Sequence, residues 1–135
     1  MIEEHVNFNS DGMKLEGIWS YDENAVNPPS VLLCPPHPHL GGDMENNVIT
    51  VLGNVLAERG FATLRFNYRG VGGSESRLGN IAEVYEYWEE ILNNDDCSDA
   101  IVDAASAINY LESTVGTNRL FITGYSFGAI VAMML

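Results

Sequence analysis

The chain reads as an α/β protein, a three-layer αβα arrangement whose mostly parallel sheet is preceded by an antiparallel hairpin. Three observations carry that expectation. Short, continuous apolar runs at Val31-Leu32-Leu33-Cys34, at residues 61–68 and at Leu120-Phe121-Ile122-Thr123 suit strands buried on both faces. Segments with apolar residues at helical spacing lie between them. The first twenty or so residues instead alternate, as strands with one covered face do.

Taken in order, Val6-Asn7-Phe8 and residues 15–21 form two strands around the turn Asn9-Ser10-Asp11-Gly12, with Leu15, Gly17 and Trp19 sharing a face. Pro28-Pro29 leads into the first buried strand, and Pro35-Pro36 ends it. Val48, Val51, Leu52, Val55 and Leu56 recur at i, i+3, i+4, i+7 and i+8 and predict a helix with that stripe inward, capped by Asn46 or Asn47 and stopped at Gly60. A strand at 61–68 and the glycine-rich loop Arg69-Gly70-Val71-Gly72-Gly73-Ser74 follow. Ile81 to Asn94 predicts a helix with Ile81, Val84, Tyr85, Trp88, Ile91 and Leu92 on one side. Asp95 or Asp96 caps a further helix with Ile101, Ala104, Ala105, Ile108 and Leu111 inward. The order β-β-β-α-β-α-α-β-α is that of an α/β protein.

A length of 135 residues suits one domain, and 46% hydrophobic with 10% aromatic residues is enough to fill a core. The formal charge of −13 argues against nucleic-acid and anionic-membrane partners, which need clustered Lys and Arg. Lys14 is the only lysine. Glu83, Glu86, Glu89, Glu90, Asp95, Asp96, Asp99 and Asp103 fall where no Lys or Arg occurs between 78 and 118. They lack calcium-loop spacing and read as solvated helix faces. The start of the chain has neither a basic segment nor an apolar run, and the longest apolar stretch, residues 129–135, is far too short to span a bilayer. Cys34 and Cys97 form no C-x-x-C pair and read as free thiols, so the expected location is cytoplasmic.

Gly124-Tyr125-Ser126-Phe127-Gly128 carries the chemistry. An apolar strand enters it and an apolar helix leaves it, so the turn is tight and the flanking glycines avoid collisions with neighbouring backbone. Such a turn exposes the Ser126 hydroxyl as a nucleophile, beside the Phe127 amide at a helix start. The plain alternative is a serine N-cap. A second donor for a developing oxyanion is expected from Pro36-His37-Pro38-His39-Leu40-Gly41-Gly42. Pro38 has no N–H, so the His39 amide is the expected donor, with Leu40 in reserve and His37 supporting the loop. His37 and His39 are also spaced as metal ligands, with Asp43 and Glu45 nearest as a third, but bracing is the reading favoured over a metal. A dinucleotide fingerprint at 70–75 would need glycine at 75, where Glu75 stands. No cofactor is expected.

Together these motifs resemble the first half of an α/β-hydrolase. The closest branch is that of small single-domain serine hydrolases with a His-Pro-His-Pro-x-x-Gly-Gly loop, a Phe-Asn-x-Arg-Gly-x-Gly-x-Ser stretch and a serine turn. The matches are His37-Pro38-His39 with Gly41-Gly42, Phe66-Asn67-Tyr68-Arg69-Gly70-Val71-Gly72 with Ser74, and Gly124 to Gly128. The Ile81–Asn94 helix looks like an addition to a connection that is usually shorter. The resemblance implies a small-molecule acyl substrate (an ester, thioester or amide) and an acyl-enzyme on Ser126. It also implies an acid and then a histidine after the nucleophile, yet none of the nine residues beyond Ser126 is Asp, Glu or His. Residues 1–135 are therefore expected to be the N-terminal portion of a single hydrolase domain, cut soon after the nucleophile helix begins. Little activity, and self-association through an exposed sheet edge, are expected to follow. A non-catalytic binding module and an acyltransferase or peptidase of the same fold remain as alternatives.

Overall fold

The structure, a computed structural model, describes residues 1–135. Strand β1 (Ile2–Ser10) and strand β2 (Met13–Tyr21) pair antiparallel around Asp11 and Gly12, whose φ angles of 53° and 81° are those of a type I′ hairpin turn. Strand β3 (Ser30–Cys34), helix α1 (Asn47–Glu58) and strand β4 (Ala62–Phe66) follow. Helix α2 (Ile81–Asn94) and helix α3 (Ser98–Tyr110) come next, the latter running into a π-helical turn at Leu111–Val115. Strand β5 (Leu120–Gly124) and helix α4 (Phe127–Met133) complete the chain. The sheet order is β1-β2-β4-β3-β5, antiparallel as far as β4 and parallel through β4, β3 and β5.

Every residue of β3 is buried because alternate side chains serve two cores. Val31 and Leu33 join Ile49 on the α1 face, with Leu52, Leu56 and Phe61 packed around them. Leu32 and Cys34 join Leu64, Phe66, Tyr68, Trp88, Ala104 and Val131 on the other. The three layers expected from the sequence are present. No helix is long and apolar enough to cross a membrane. Cys34 and Cys97 are free, and burial pushes the Cys34 thiol up to about 12.

Helix faces differ from the expectation where size outweighs hydrophobicity. Asn46 caps α1, accepting from the amides of Val48 and Ile49. The sheet-facing line, however, is Ile49, Gly53 and Ala57, while Val48, Val51 and Val55 are exposed. A Cβ on Gly53 would stand 3.2 Å from Leu33 Cδ1, so the helix lies close enough to the sheet to demand small residues there. In α3 the inner line is Ala100, Asp103, Ala104 and Ala107, again mostly small, and Ala105 faces out. In α2 only Trp88 and Ile91 are buried, and Ile81 and Tyr85 are exposed. Asp95 ends α2 in a left-handed conformation rather than starting α3, and Asp96 accepts from the Ser98 amide and hydroxyl.

The largest departure is Asp103. It is fully buried, not solvated. Its Oδ1 accepts from Ser10 Oγ at 2.7 Å and Arg69 Nη2 at 2.9 Å, and its Oδ2 accepts from the Arg69 main-chain N–H at 2.9 Å. Arg69 Nη1 also lies 3.6 Å from Asp11 and 3.8 Å from Asp99. Removing one member of a buried pair strands the other charge and typically costs about 3–5 kcal/mol, whereas a half-exposed partner contributes less than about 1 kcal/mol. Asp103→Ala should accordingly lower the urea-unfolding free energy by about 3–5 kcal/mol, and Asp99→Asn by under about 1 kcal/mol.

Candidate active site

The parallel strands deliver their C-terminal ends to one edge of the molecule. Ser126 leaves the end of β5 with φ 58° and ψ −120°, a main-chain conformation that L-residues avoid unless the surroundings impose it. The surroundings are visible at both glycines. A Cβ on Gly124 would lie 2.2 Å from Gly128 O, and one on Gly128 would lie 2.0 Å from Cys34 O and 2.5 Å from Pro35 O. The turn is thus seated directly on the end of β3. The Ser126 side chain is exposed and free of hydrogen bonds, and the Phe127 N–H, first in α4, has no acceptor in the chain.

The loop after β3 is held largely by side chains. Pro35, Pro36 and Pro38 have no N–H to contribute. His37 is fully buried, with Nε2 2.8 Å from the Trp88 carbonyl and Nδ1 accepting from the His39 N–H at 3.0 Å. Its ring packs edge-on against Trp88 and Phe127, both at 5.4 Å between centroids. The loop therefore touches the serine turn through Phe127. The His39 ring stacks on Tyr85 at 4.1 Å, and its Nδ1 is 3.2 Å from Glu89. The two amides expected to serve an oxyanion are both engaged: His39 N–H with the His37 ring, and Leu40 N–H with His37 O at 2.8 Å. Both nitrogens of His37 are likewise occupied by these protein partners, so the His37/His39 spacing leaves no ring nitrogen of His37 free for a metal.

The Asn67-to-Ser74 stretch is a bracket around this edge. Asn67 Oδ1 accepts from the Met44 amide at 2.9 Å while its Nδ2 donates to Glu16 at 2.8 Å, joining the loop before α1 to the hairpin. Ser74 Oγ donates to Asn67 O at 2.8 Å and accepts from the Glu16 amide at 3.0 Å. Trp88 Nε1 donates to Arg69 O at 3.1 Å, which ties α2 to the same bracket. Sequence reasoning passed over Trp88 and Asp103 as site supports. The available signal was the arginine in the motif, a cation that needs a buried partner.

A strand–serine–helix turn at the C-terminal edge of a sheet in this order is the architecture of an α/β-hydrolase. Residues 41–135 match the family described as serine aminopeptidase, S33, and the chain belongs to that alpha/beta-hydrolase family. A candidate alpha/beta hydrolase of unknown function from Agrobacterium tumefaciens has a similar structure, with a TM-score of 0.75 and 31% identity over 98% of this chain and 53% of its own. An alpha-beta serine hydrolase homologue from Coxiella burnetii gives a TM-score of 0.75 and 26% identity over 99% of this chain and 57% of its own. An uncharacterised protein of Rickettsia prowazekii is 32% identical over 130 residues, which are 95% of this chain and 47% of that protein. The chain spans about half the length of the relatives it matches.

Two outcomes follow from this geometry. Gly128→Ala forces a Cβ onto Cys34 O and should cost more than about 4 kcal/mol in urea unfolding. Gly79→Ala, where nothing lies within 4 Å, should be close to neutral. Burial holds His37 below its ordinary value of 6.5, outweighing the Trp88 carbonyl, which favours the charged ring. The fold prefers the neutral ring, so this contribution to stability is complete above that ordinary value and is lost as pH falls toward the depressed one. Urea midpoints should drop between neutral and mildly acidic pH, and should drop less in His37→Phe.

Proposed function

We propose that this chain carries the nucleophile and oxyanion half of a serine hydrolase acting on a carboxylic ester, thioester or amide. The supporting observation is the Ser126 turn: a strained main chain, an exposed hydroxyl and an unpaired Phe127 N–H at the same point. Ser126 Oγ attacks the acyl carbon, the carbonyl electron pair moves onto oxygen, and the Phe127 amide with a second amide of the His37–Leu40 loop stabilises that charge. Collapse expels the alcohol, thiol or amine with a proton, leaving an acyl-Ser126 ester that water hydrolyses.

The base is a separate matter. The chain has three histidines, and each is already held: His5 by Glu16 at 2.9 Å, His37 by Trp88 and the His39 amide, and His39 by Glu89. None of the residues after Ser126 is Asp, Glu or His. The 135 residues are therefore expected to acylate and to turn over slowly, because loss of a triad base removes several orders of magnitude from kcat.

A fluorophosphonate should label the protein slowly, as an unassisted serine would, and Ser126→Ala should abolish the label. Hydrolysis of p-nitrophenyl acetate should stay at the level of that variant. Labelling that persists in Ser126→Ala would overturn the assignment of the nucleophile. A wild-type chain that takes no label even after prolonged exposure to excess reagent would favour a non-catalytic binding role for the same edge.

A further inference from the structure

The two edges of the sheet differ in kind. β1 carries Glu3, Glu4 and His5, charges that discourage pairing with another strand. β5 carries none, and residues 120–135 contain no Asp, Glu, Lys, Arg or His, in a chain of net charge −13. β5 has the continuous apolar sequence of a strand set between two neighbours, yet β3 is its only one. β3 and β4 are buried throughout, whereas every residue of β5 is at least partly exposed, Phe121 at 55%. Ile130 and Met133 of α4, the helix packed on β5, are 55% and 84% exposed. The main chain shows which groups are open. Ser30 N–H donates to Arg119 O and Tyr125 N–H to Cys34 O, so by alternation Phe121 and Thr123 also face β3. The N–H and C=O groups of Leu120, Ile122 and Gly124 therefore point away from β3, with no strand beyond them.

We propose that this open edge is a docking surface for a second copy of the chain, the two β5 strands pairing antiparallel to join two five-stranded sheets into one. The edge is complementary to itself. An antiparallel pairing centred on Ile122 sets Leu120 of each copy opposite Gly124 of the other, and Ile122 opposite Ile122. All three residues present both main-chain groups to the seam, so the N–H and C=O of each find partners in a single register. The two-fold axis stands perpendicular to the sheet, which puts α4 of both copies on the same face, flanking the seam. Charge selects the occupant. Two chains of −13 repel one another at most approaches, and a surface without charged residues lets them meet. Closure follows from the other edge. The pairing consumes both β5 edges and leaves β1, with Glu3, Glu4 and His5, at each end of the joined sheet, so growth stops at two copies. Nothing in this association depends on the identity of the nucleophile.

The test uses the full chain. Sedimentation velocity should give a particle of twice the 14.8 kDa chain mass. Phe121→Lys sets a lysine from each copy beside the seam, at an exposed position, and should return the mass to that of one chain. Asn7→Lys, the same charge on exposed β1, should leave the dimer in place. Hydrogen exchange read by 15N NMR should find the N–H groups of Leu120, Ile122 and Gly124 protected in wild type and exchanging freely in Phe121→Lys, with those of Phe121 or Lys at that position and Thr123 protected in both. A wild-type chain that stays monomeric at the highest attainable concentration overturns the proposal, as do assemblies that grow beyond two copies. So does a dimer whose Leu120, Ile122 and Gly124 amides exchange freely, a dimer that survives Phe121→Lys, or one that Asn7→Lys dissolves. Should Phe121→Lys not fold, the mass and exchange pattern of the wild-type chain decide alone.

Discussion

The contact on which the rest of this structure depends is the buried pair of Arg69 and Asp103. Two charges removed from water repay their desolvation only when nearly every lone pair and proton finds a partner. Here Asp103 receives the Ser10 hydroxyl, the Arg69 guanidinium and the Arg69 main-chain amide. One carboxylate thereby fixes the end of β1, the exit from β4 and the face of α3. The Arg69 carbonyl then holds Trp88, and the Trp88 carbonyl holds His37. A line of hydrogen bonds runs from the hairpin to the loop that faces the serine turn. Because each step leaves a buried group unsatisfied if broken, the line specifies one arrangement more than it adds net stability.

The serine turn draws on the same rigidity. A non-glycine residue at φ 58° and ψ −120° carries strain on the order of 1–3 kcal/mol, which survives only where neighbours over-determine the backbone. Gly124 and Gly128 supply that condition through contacts with no room for a methyl group. The first turn of α4 is pressed onto the carbonyls of Cys34 and Pro35, and Phe127 closes against His37 and Trp88. Strain in the turn and order in the loop are two aspects of one packing arrangement.

Much of the fold was legible in the sequence, since its signals were local. The Asp-Gly turn, the continuous apolar strands and the Asn46 cap each follow from short stretches read against the chain's periodicity. Reading failed where the deciding quantity was a distance between segments. The valines of α1 form a regular apolar stripe, yet Gly53 and Ala57 take the inner line because the helix lies against Leu33. Asp103 looked like one acid among eight, because nothing within its own helix announces an arginine 34 residues earlier in the chain. At this edge, the tight Gly124–Gly128 turn was legible from spacing alone. The engagement of the His39 and Leu40 amides was not, because it depends on the tautomer and burial of a neighbouring ring.

The composition of the loop explains why a side chain took on that role. Pro35, Pro36 and Pro38 remove three main-chain donors from the segment that must lie beside the serine turn, so the loop has few hydrogen bonds with which to hold itself. Groups from other elements replace them. Tyr68 Oη donates to Pro35 O at 2.9 Å, Asn46 Nδ2 donates to Gly41 O at 2.7 Å, and the His37 ring bridges the His39 amide to Trp88. Prolines also limit how far the loop can relax, since each fixes φ. The result is a segment whose His39 and Leu40 amides have assigned positions. On this view α2 is not a peripheral addition to the connection between β4 and α3. Its Trp88 belongs to the core on one side and to the loop on the other, so the geometry at Ser126 is set partly by a helix that contributes no residue to the Gly124–Gly128 motif.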